Sequence, residues 1–245
     1  MDTLQLDQHI SQQFNEDLEH LRTRLLKMGG LVEEQLRDAI KAVETADGAL
    51  AEKVLKFEDD VDRYELTLDR EAIGILARRQ PAASDLRLVM MVTKATRDLE
   101  RIGDEANKIA KMAIAINSEG NDSPRGYVEL RHLARNVARS VNMALDSFAR
   151  YDVESAFDVV REDKNIDIEY KSAVREMITY MMEDPRSISR VMNIMWALRA
   201  LERIGDHSRN IAEHVIYLVH GTDIRHTSLA EVEEKLRGSK SRRES

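Results

Sequence analysis

The chain contains no cysteine, so disulfides and thiolate metal sites are excluded, as expected for a protein of a reducing compartment. Proline occurs only at Pro81, Pro124 and Pro185, which leaves long stretches free to remain helical. Aromatic residues make up 4% of the 245 residues, too few for a sheet-rich fold, which draws on aromatic and β-branched side chains. No apolar run approaches the roughly 20 residues needed to cross a bilayer. The N-terminal Met1-Asp2-Thr3-Leu4-Gln5 has neither the basic nor the apolar region of a signal peptide. The balance of 37 basic and 45 acidic residues gives a net charge of −8, which opposes adhesion to nucleic acid or anionic lipid. A cytoplasmic protein without membrane insertion and without a nucleic-acid partner is the expectation.

What is abundant is helical patterning. Leu18, Leu21, Leu25, Met28, Val32, Leu36, Ile40 and Val43 recur at steps of three and four. Val54, Phe57, Val61, Tyr64, Leu68 and Ile75 form a second stripe, and Leu86, Val89, Thr96, Leu99, Ile102, Ala106 and Ile109 a third. Turn chemistry separates them at Asp47-Gly48, at Gln80-Pro81 and across the segment 117–124. Three long helices are therefore predicted before residue 120. The Gly29-Gly30 pair inside the first either bends it or admits a close neighbour.

The pattern then repeats. A shift of 105 residues lays Met28, Val32, Leu36 and Ile40 on Leu133, Val137, Val141 and Leu145, and the Asp47 turn on Asp152. A shift of 102 lays Val89-Met90 on Val191-Met192, and the change of offset falls near Pro81 and Pro185, where a turn gains or loses residues cheaply. Arg-x-Leu-Glu-Arg-Ile-Gly-Asp stands at 97–104 and again at 199–206. The expected fold is all-α: two tandem antiparallel three-helix bundles related by internal duplication. The bundles are placed at 1–118 and 122–221. A polar tail at 222–245 follows, with a short helix opened by the capping box Ser228–Glu231.

The repeated string carries acids at helical spacing. Glu100 and Asp104 lie four apart on one face, as do Glu202 and Asp206. The preceding helices offer Glu58 with Asp62 and, at the same offset of 105, Asp163 with Asp167. Adjacent antiparallel helices could bring both pairs of a unit together, and four carboxylates at one level suit a hard cation or a small cation cluster. Solvated helix faces also carry such pairs, and Arg97, Arg101, Lys108 and Lys111 could neutralise the first motif at the surface. Gly103 and Gly205, mid-helix beside the acids, cost about 1 kcal/mol each relative to alanine, which points to close approach of something bulky.

Other chemistry is sparse. No two of the seven histidines lie four apart, so the His-Glu-x-x-His zinc pattern is absent, and no glycine-rich phosphate loop or nucleophile elbow occurs. His207 and His214 are expected to be exposed or hydrogen-bonded. Trp196 is expected as a packing anchor, and the Met90-Met91 and Met181-Met182 doublets as adaptable core.

Several strings together resemble one family. They are Met28-Gly29-Gly30-Leu31-Val32-Glu33, Arg79-Gln80-Pro81-x-x-Ser84-Asp85-Leu86-Arg87, Arg161-Glu162-Asp163-Lys164 and both Glu-Arg-Ile-Gly-Asp copies. From Leu4 to the 221–226 segment the chain resembles the phosphate-specific transport accessory proteins, the PhoU family. The resemblance implies a non-enzymatic, metal-associated regulator of phosphate uptake and of the phosphate-starvation response, repressing signalling when phosphate is plentiful. It would act at the inner face of the membrane between a phosphate ABC-transporter ATPase subunit and a phosphate-sensing histidine kinase, as a homodimer. It implies metal ligation, by Mg, Mn, Fe or Zn in divalent or trivalent form, at Glu58, Asp62, Glu100, Asp104, Asp163, Asp167, Glu202 and Asp206. Two departures stand out: Asp163 where the first unit has Glu58, and His207 where it has Glu105. The two sites are thus expected to differ in metal or occupancy. The alternatives are a metal-dependent phosphate-ester or polyphosphate hydrolase, and a plain helical scaffold.

Overall fold

The computed structural model describes residues 12–81, 83–118 and 126–221, and among these it contains helices and no strand. Helix α1 spans Gln12–Thr45, α2 Gly48–Leu55, α3 Glu58–Arg79 and α4 Ala83–Ser118. The second half repeats the course with α5 at Tyr127–Arg150, α6 at Val153–Glu183 and α7 at Ile188–His220, a 3-10 turn at Pro185–Ser187 joining the last two. The predicted capping box at Ser228–Glu231 lies outside the described residues.

The duplication is visible in the turns. Ala46 and Tyr151, 105 residues apart, both take left-handed backbone, at φ 51° and 54°. The aspartate that follows each caps the next helix. Asp47 accepts from the Leu50 amide at 2.9 Å, and Asp152 from the Glu154 and Ser155 amides at 3.0 and 3.2 Å. Such a carboxylate satisfies amides that the first helical turn leaves without partners.

The halves differ in the second helix. Where α6 runs without interruption, the first half breaks into α2 and α3, because the Phe57 amide bonds the Val54 carbonyl, three residues back, at 3.0 Å. One long helix was the expectation for Val54–Ile75. Three-residue bonding tightens the chain there and puts Glu58 in the first turn of α3.

Helices α1 to α4 pack on one another as the first bundle and α5 to α7 as the second, and one apolar core runs through both. The bundles join chiefly through α4 against α7, with α1 against α5 beside them. Arg87 sits by Gly221, Asp98 bonds Asn210, and Glu105 pairs with Arg203, so α4 and α7 run antiparallel. At the second seam Gly29 does admit a neighbour: a Cβ there would fall 2.6 Å from Leu145 Cδ2. No described helix is long and apolar enough to cross a membrane.

Candidate functional site

The two mid-helix glycines position the acids. A Cβ on Gly103 would lie 3.1 Å from Gln35 Oε1 and 3.5 Å from Val61 Cγ1; one on Gly205 would lie 3.2 Å from Ile166 Cγ2. Val61 and Ile166 are repeat equivalents, so in each half the glycine lets the second helix approach the third closely. The bulky neighbour is therefore protein. Its effect is to hold Glu65 of α3 near Glu100 of α4, with Asp62 reaching the group only through Glu65, and Asp167 of α6 near Glu202 of α7.

In the first half, burial pushes the Glu100 carboxyl up from its ordinary value, and the nearby Asp104 and Glu65 push it further. Glu65 is raised too, by burial first and then by Asp69 and Asp62. Glu65 thereby bridges the two predicted pairs. It stands three residues after Asp62 and seven after Glu58, on the same face of α3. Glu100 Oε2 is buried and receives no hydrogen bond; Arg101 Nε is 3.3 Å away without donating in line. Arg101 Nη1 reaches Asp104 Oδ2 at 3.4 Å. Glu58 and Asp62 are exposed. From the core, fully buried Gln35 donates to Asn107 Oδ1 at 3.0 Å, and Asn107 Nδ2 donates to Glu58 Oε2 at 3.2 Å.

The second half places equivalent acids together with different company. Burial pushes the Asp163 carboxyl up, with Asp206 and Asp167 adding to the rise and Arg209 opposing it. Glu202 is also raised, by burial first, against the pull of Arg199, with Asp206 and Asp167 adding. Arg199 Nη1 donates to Glu202 Oε1 at 2.7 Å and its guanidinium lies 5.8 Å from the centre of the Tyr170 ring. Tyr170 occupies the place of Glu65. Arg209 Nη1 donates to Asp163 Oδ2 at 2.7 Å, and Arg209 stands where the first half has Asn107.

The implied metal can be tested against these donors. Both halves keep a buried carboxylate oxygen without a donor, Glu100 Oε2 and Glu202 Oε2, which is a group a cation would satisfy. Among the described residues no three His, Asp or Glu side chains stand in a geometry that would hold an ion, so any binding needs side-chain rotation at the exposed acids. The first half fits this requirement, because Glu58 and Asp62 are exposed at its mouth. The second half is already supplied with the Arg209 guanidinium.

The expectation omits Asp98, Glu65 and Arg209, and a Glu-x-x-His run that it takes to be absent stands at Glu129 to His132. That run lines a cleft of about 270 Å³ between α5 and α6 with Glu169 and Glu176. His207 and His214 are hydrogen-bonded, as expected, and both meet Asp98, at 2.8 and 2.9 Å. Trp196 corrects the expectation: it is 55% exposed, on a stripe of α7 with Ile188 and Met192. The doublets split, Met91 being core while Met90 and Met182 are exposed.

Fold, duplicated acids and paired seams define a class of two-bundle helical proteins without a catalytic constellation among the described residues. Comparison with known proteins specifies it. The model of the PhoU domain matches twice, at residues 25–113 and 130–215. The chain is 57% identical over 235 residues to the phosphate-specific transport system accessory protein PhoU homolog of Pseudomonas aeruginosa, covering 96% of this chain and 97% of that one. It is 44% identical to the Escherichia coli phosphate-specific transport system accessory protein PhoU, covering 98% and 99%. The crystal structure of PhoU from Pseudomonas aeruginosa matches with a TM-score of 0.83 at 58% identity, over 85% of this chain and all of that one. That of the phosphate transport system regulatory protein PhoU from Streptococcus pneumoniae matches at 0.79 and 26%, over 86% and 98%. The chain belongs to the PhoU family. Its relatives carry accessory and regulatory names rather than enzyme names, which sets the hydrolase alternative aside.

Proposed function

We propose that this protein represses the phosphate-starvation response when phosphate is plentiful, as a metal-binding adaptor between the ATPase subunit of a phosphate ABC transporter and a phosphate-sensing histidine kinase. The observation that carries this reading is the family match in both halves, whose relatives are named accessory and regulatory proteins of phosphate transport. Long helical faces suit packing against helical partners, and a net charge of −8 favours a basic partner surface. The adaptor works on the cytoplasmic side, held to the membrane only through its partners, and as a homodimer.

For the metal, the first-half acids Glu58, Asp62, Glu100 and Asp104 are the ligands, with Glu65 added to the set. Oxygen donors of this kind suit Mg, Mn, Fe or Zn. The bound ion supplies positive charge that relieves repulsion among carboxylates four apart. Gln35 and Asn107 orient Glu58 from the core.

The test is a reporter for a starvation-induced gene in a deletion strain, with a pull-down from phosphate-replete cells. Expression in high phosphate and recovery of both partners are the expected results. Normal repression without the protein would sink the proposal. Sedimentation velocity reads the dimer.

A further inference from the structure

We infer that Arg209 takes the place of the metal ion in the second half, so that the chain binds cation at the α3/α4 acids alone; this rests on the metal reading proposed above. The offset of 102 that superimposes the two Glu-Arg-Ile-Gly-Asp strings lays Arg209 on Asn107. These positions face the same acid in each half. Asn107 donates to Glu58 at 3.2 Å, and Arg209 donates to its equivalent Asp163 at 2.7 Å. The same nitrogen, Nη1, is 3.8 Å from Asp206 Oδ1, so one guanidinium spans the α6 acid and the α7 acid. Glu213 Oε1 lies 3.5 Å from Nε, in ion-pair range but without a hydrogen bond.

Each half has further arginines from the repeated string itself. In the first half Arg97 and Arg101 both act on Glu100, with Arg101 also at Asp104; in the second Arg199 faces Glu202, its string partner Arg203 turns to Glu105, and Lys171 lies 3.7 Å from Asp167. What sets Arg209 apart is its hydrogen bond to a buried acid, which none of the first-half arginines makes. The acids beside them differ as well: the first half has Glu65, coupled to Asp69, where the second has Tyr170, and the second has Glu213 facing Arg209. Asp163 also sets its carboxylate one methylene further back than Glu58 does. Its side chain is 10% exposed, and a buried carboxylate that lost its cation would be strongly destabilising. A divalent ion entering beside a fixed guanidinium meets like charge, and one displacing it must first break the buried pair.

The experiment measures Mn²⁺ bound at equilibrium, by elemental analysis after dialysis, with circular dichroism as the control for folding. Wild type and E202A/D206A should bind the same amount, and E100A/D104A at least tenfold less. Arg209→Asn should raise the bound Mn²⁺ about twofold, a gain that E202A/D206A removes. Arg209→Lys keeps a cation in place and should behave as wild type, which covers the case in which Arg209→Asn loses helicity. Lower uptake by E202A/D206A alone, or no gain in a folded Arg209→Asn protein, would overturn the inference. If wild type binds none while Arg209→Asn does, the first-half site fails, and only the replacement of a second-half ion by Arg209 stands. If neither binds, both fall.

Discussion

The carboxylate of Asp98 on α4 and the imidazole of His207 on α7 meet at 2.8 Å across the seam between the two bundles. Asp98 Oδ2 meets His214 Nε2 at 2.9 Å, and Asn210 Nδ2 donates to Oδ1 at 3.1 Å. An ionised carboxylate only accepts, so His207 carries its proton on Nδ1 and His214 on Nε2. Repeat symmetry would put Ala200 and Glu105 in the corresponding places. Glu105 instead bonds Arg203 at 3.1 Å and Lys108 at 2.9 Å. The seam is thus specified twice, by different chemistry on either side of its pseudo-two-fold.

Burial alone would raise the Asp98 carboxyl, but the hydrogen bonds from His207, His214 and Asn210 outweigh it and hold the group at about 2. The folded value lies below the ordinary one of about 3.9, so the stabilisation is complete above that pH and is lost as pH falls toward 2. The shift corresponds to about 2 kcal/mol. Asp98→Asn should therefore lower unfolding free energy by about that amount at pH 7, with the gap to wild type closing between pH 4 and 2. Denaturant titrations at several pH values check it, and a gap independent of pH would contradict the assignment.

The helix-start aspartates should differ in worth although the turns are copies. Asp47 receives one amide, whereas Asp152 receives two amides and the Ser155 hydroxyl at 2.7 Å. Replacing either by alanine should cost about 1 kcal/mol, with Asp152→Ala the larger. Equal or reversed losses in thermal unfolding would show that bond number does not set the cap strength here.

Close approach at Gly205 implies a sharp size limit. Gly205→Val would drive a branched side chain into Ile166, and overpacking of this kind costs about 1–3 kcal/mol. It should also part Asp167 from Glu202 and Asp206. The readout is melting temperature together with the acid titration of Glu202, which should move down as its neighbours withdraw. An unchanged melting temperature would mean that α6 shifts freely.

Much of this was legible in residues. Turn chemistry at Asp47 and Asp152 and the three-four period place the helices, and the mid-helix glycines announce close packing before its partner is known. The break at Lys56–Phe57 was not legible, because both residues keep right-handed backbone and nothing in their types forces three-residue bonding. Asp98 was hidden for another reason: its partners lie on a helix of the other bundle, and only packing brings them together. His207, Asn210 and His214 do lie at steps of three and four on one face of α7, a signal for one shared partner. The exposure of Trp196 is not legible, because its stripe with Ile188 and Met192 has helical period, which marks a face without saying what covers it.

At Glu100 stability and proposed function oppose each other. Its carboxyl is raised by burial, with Asp104 and Glu65 adding, so the ionised form is less favourable in the folded chain than in the unfolded one. The sign is the reverse of that for Asp98. A raised acid weakens the fold above its folded value, and the penalty disappears once pH falls below the unfolded value of about 4.3. Glu100→Gln removes the charge and keeps the shape, so in chelator-treated protein it should raise the melting temperature at pH 7. The advantage should shrink as pH is lowered through the carboxylate range. Adding Mn²⁺ should invert the order, since wild type gains from the ion and Glu100→Gln gains less. Proton competition also means that Mn²⁺ uptake by wild type should weaken on mild acidification. If Glu100→Gln is destabilising without metal at pH 7, Glu100 is held by contacts that its buried, donor-free oxygen does not reveal.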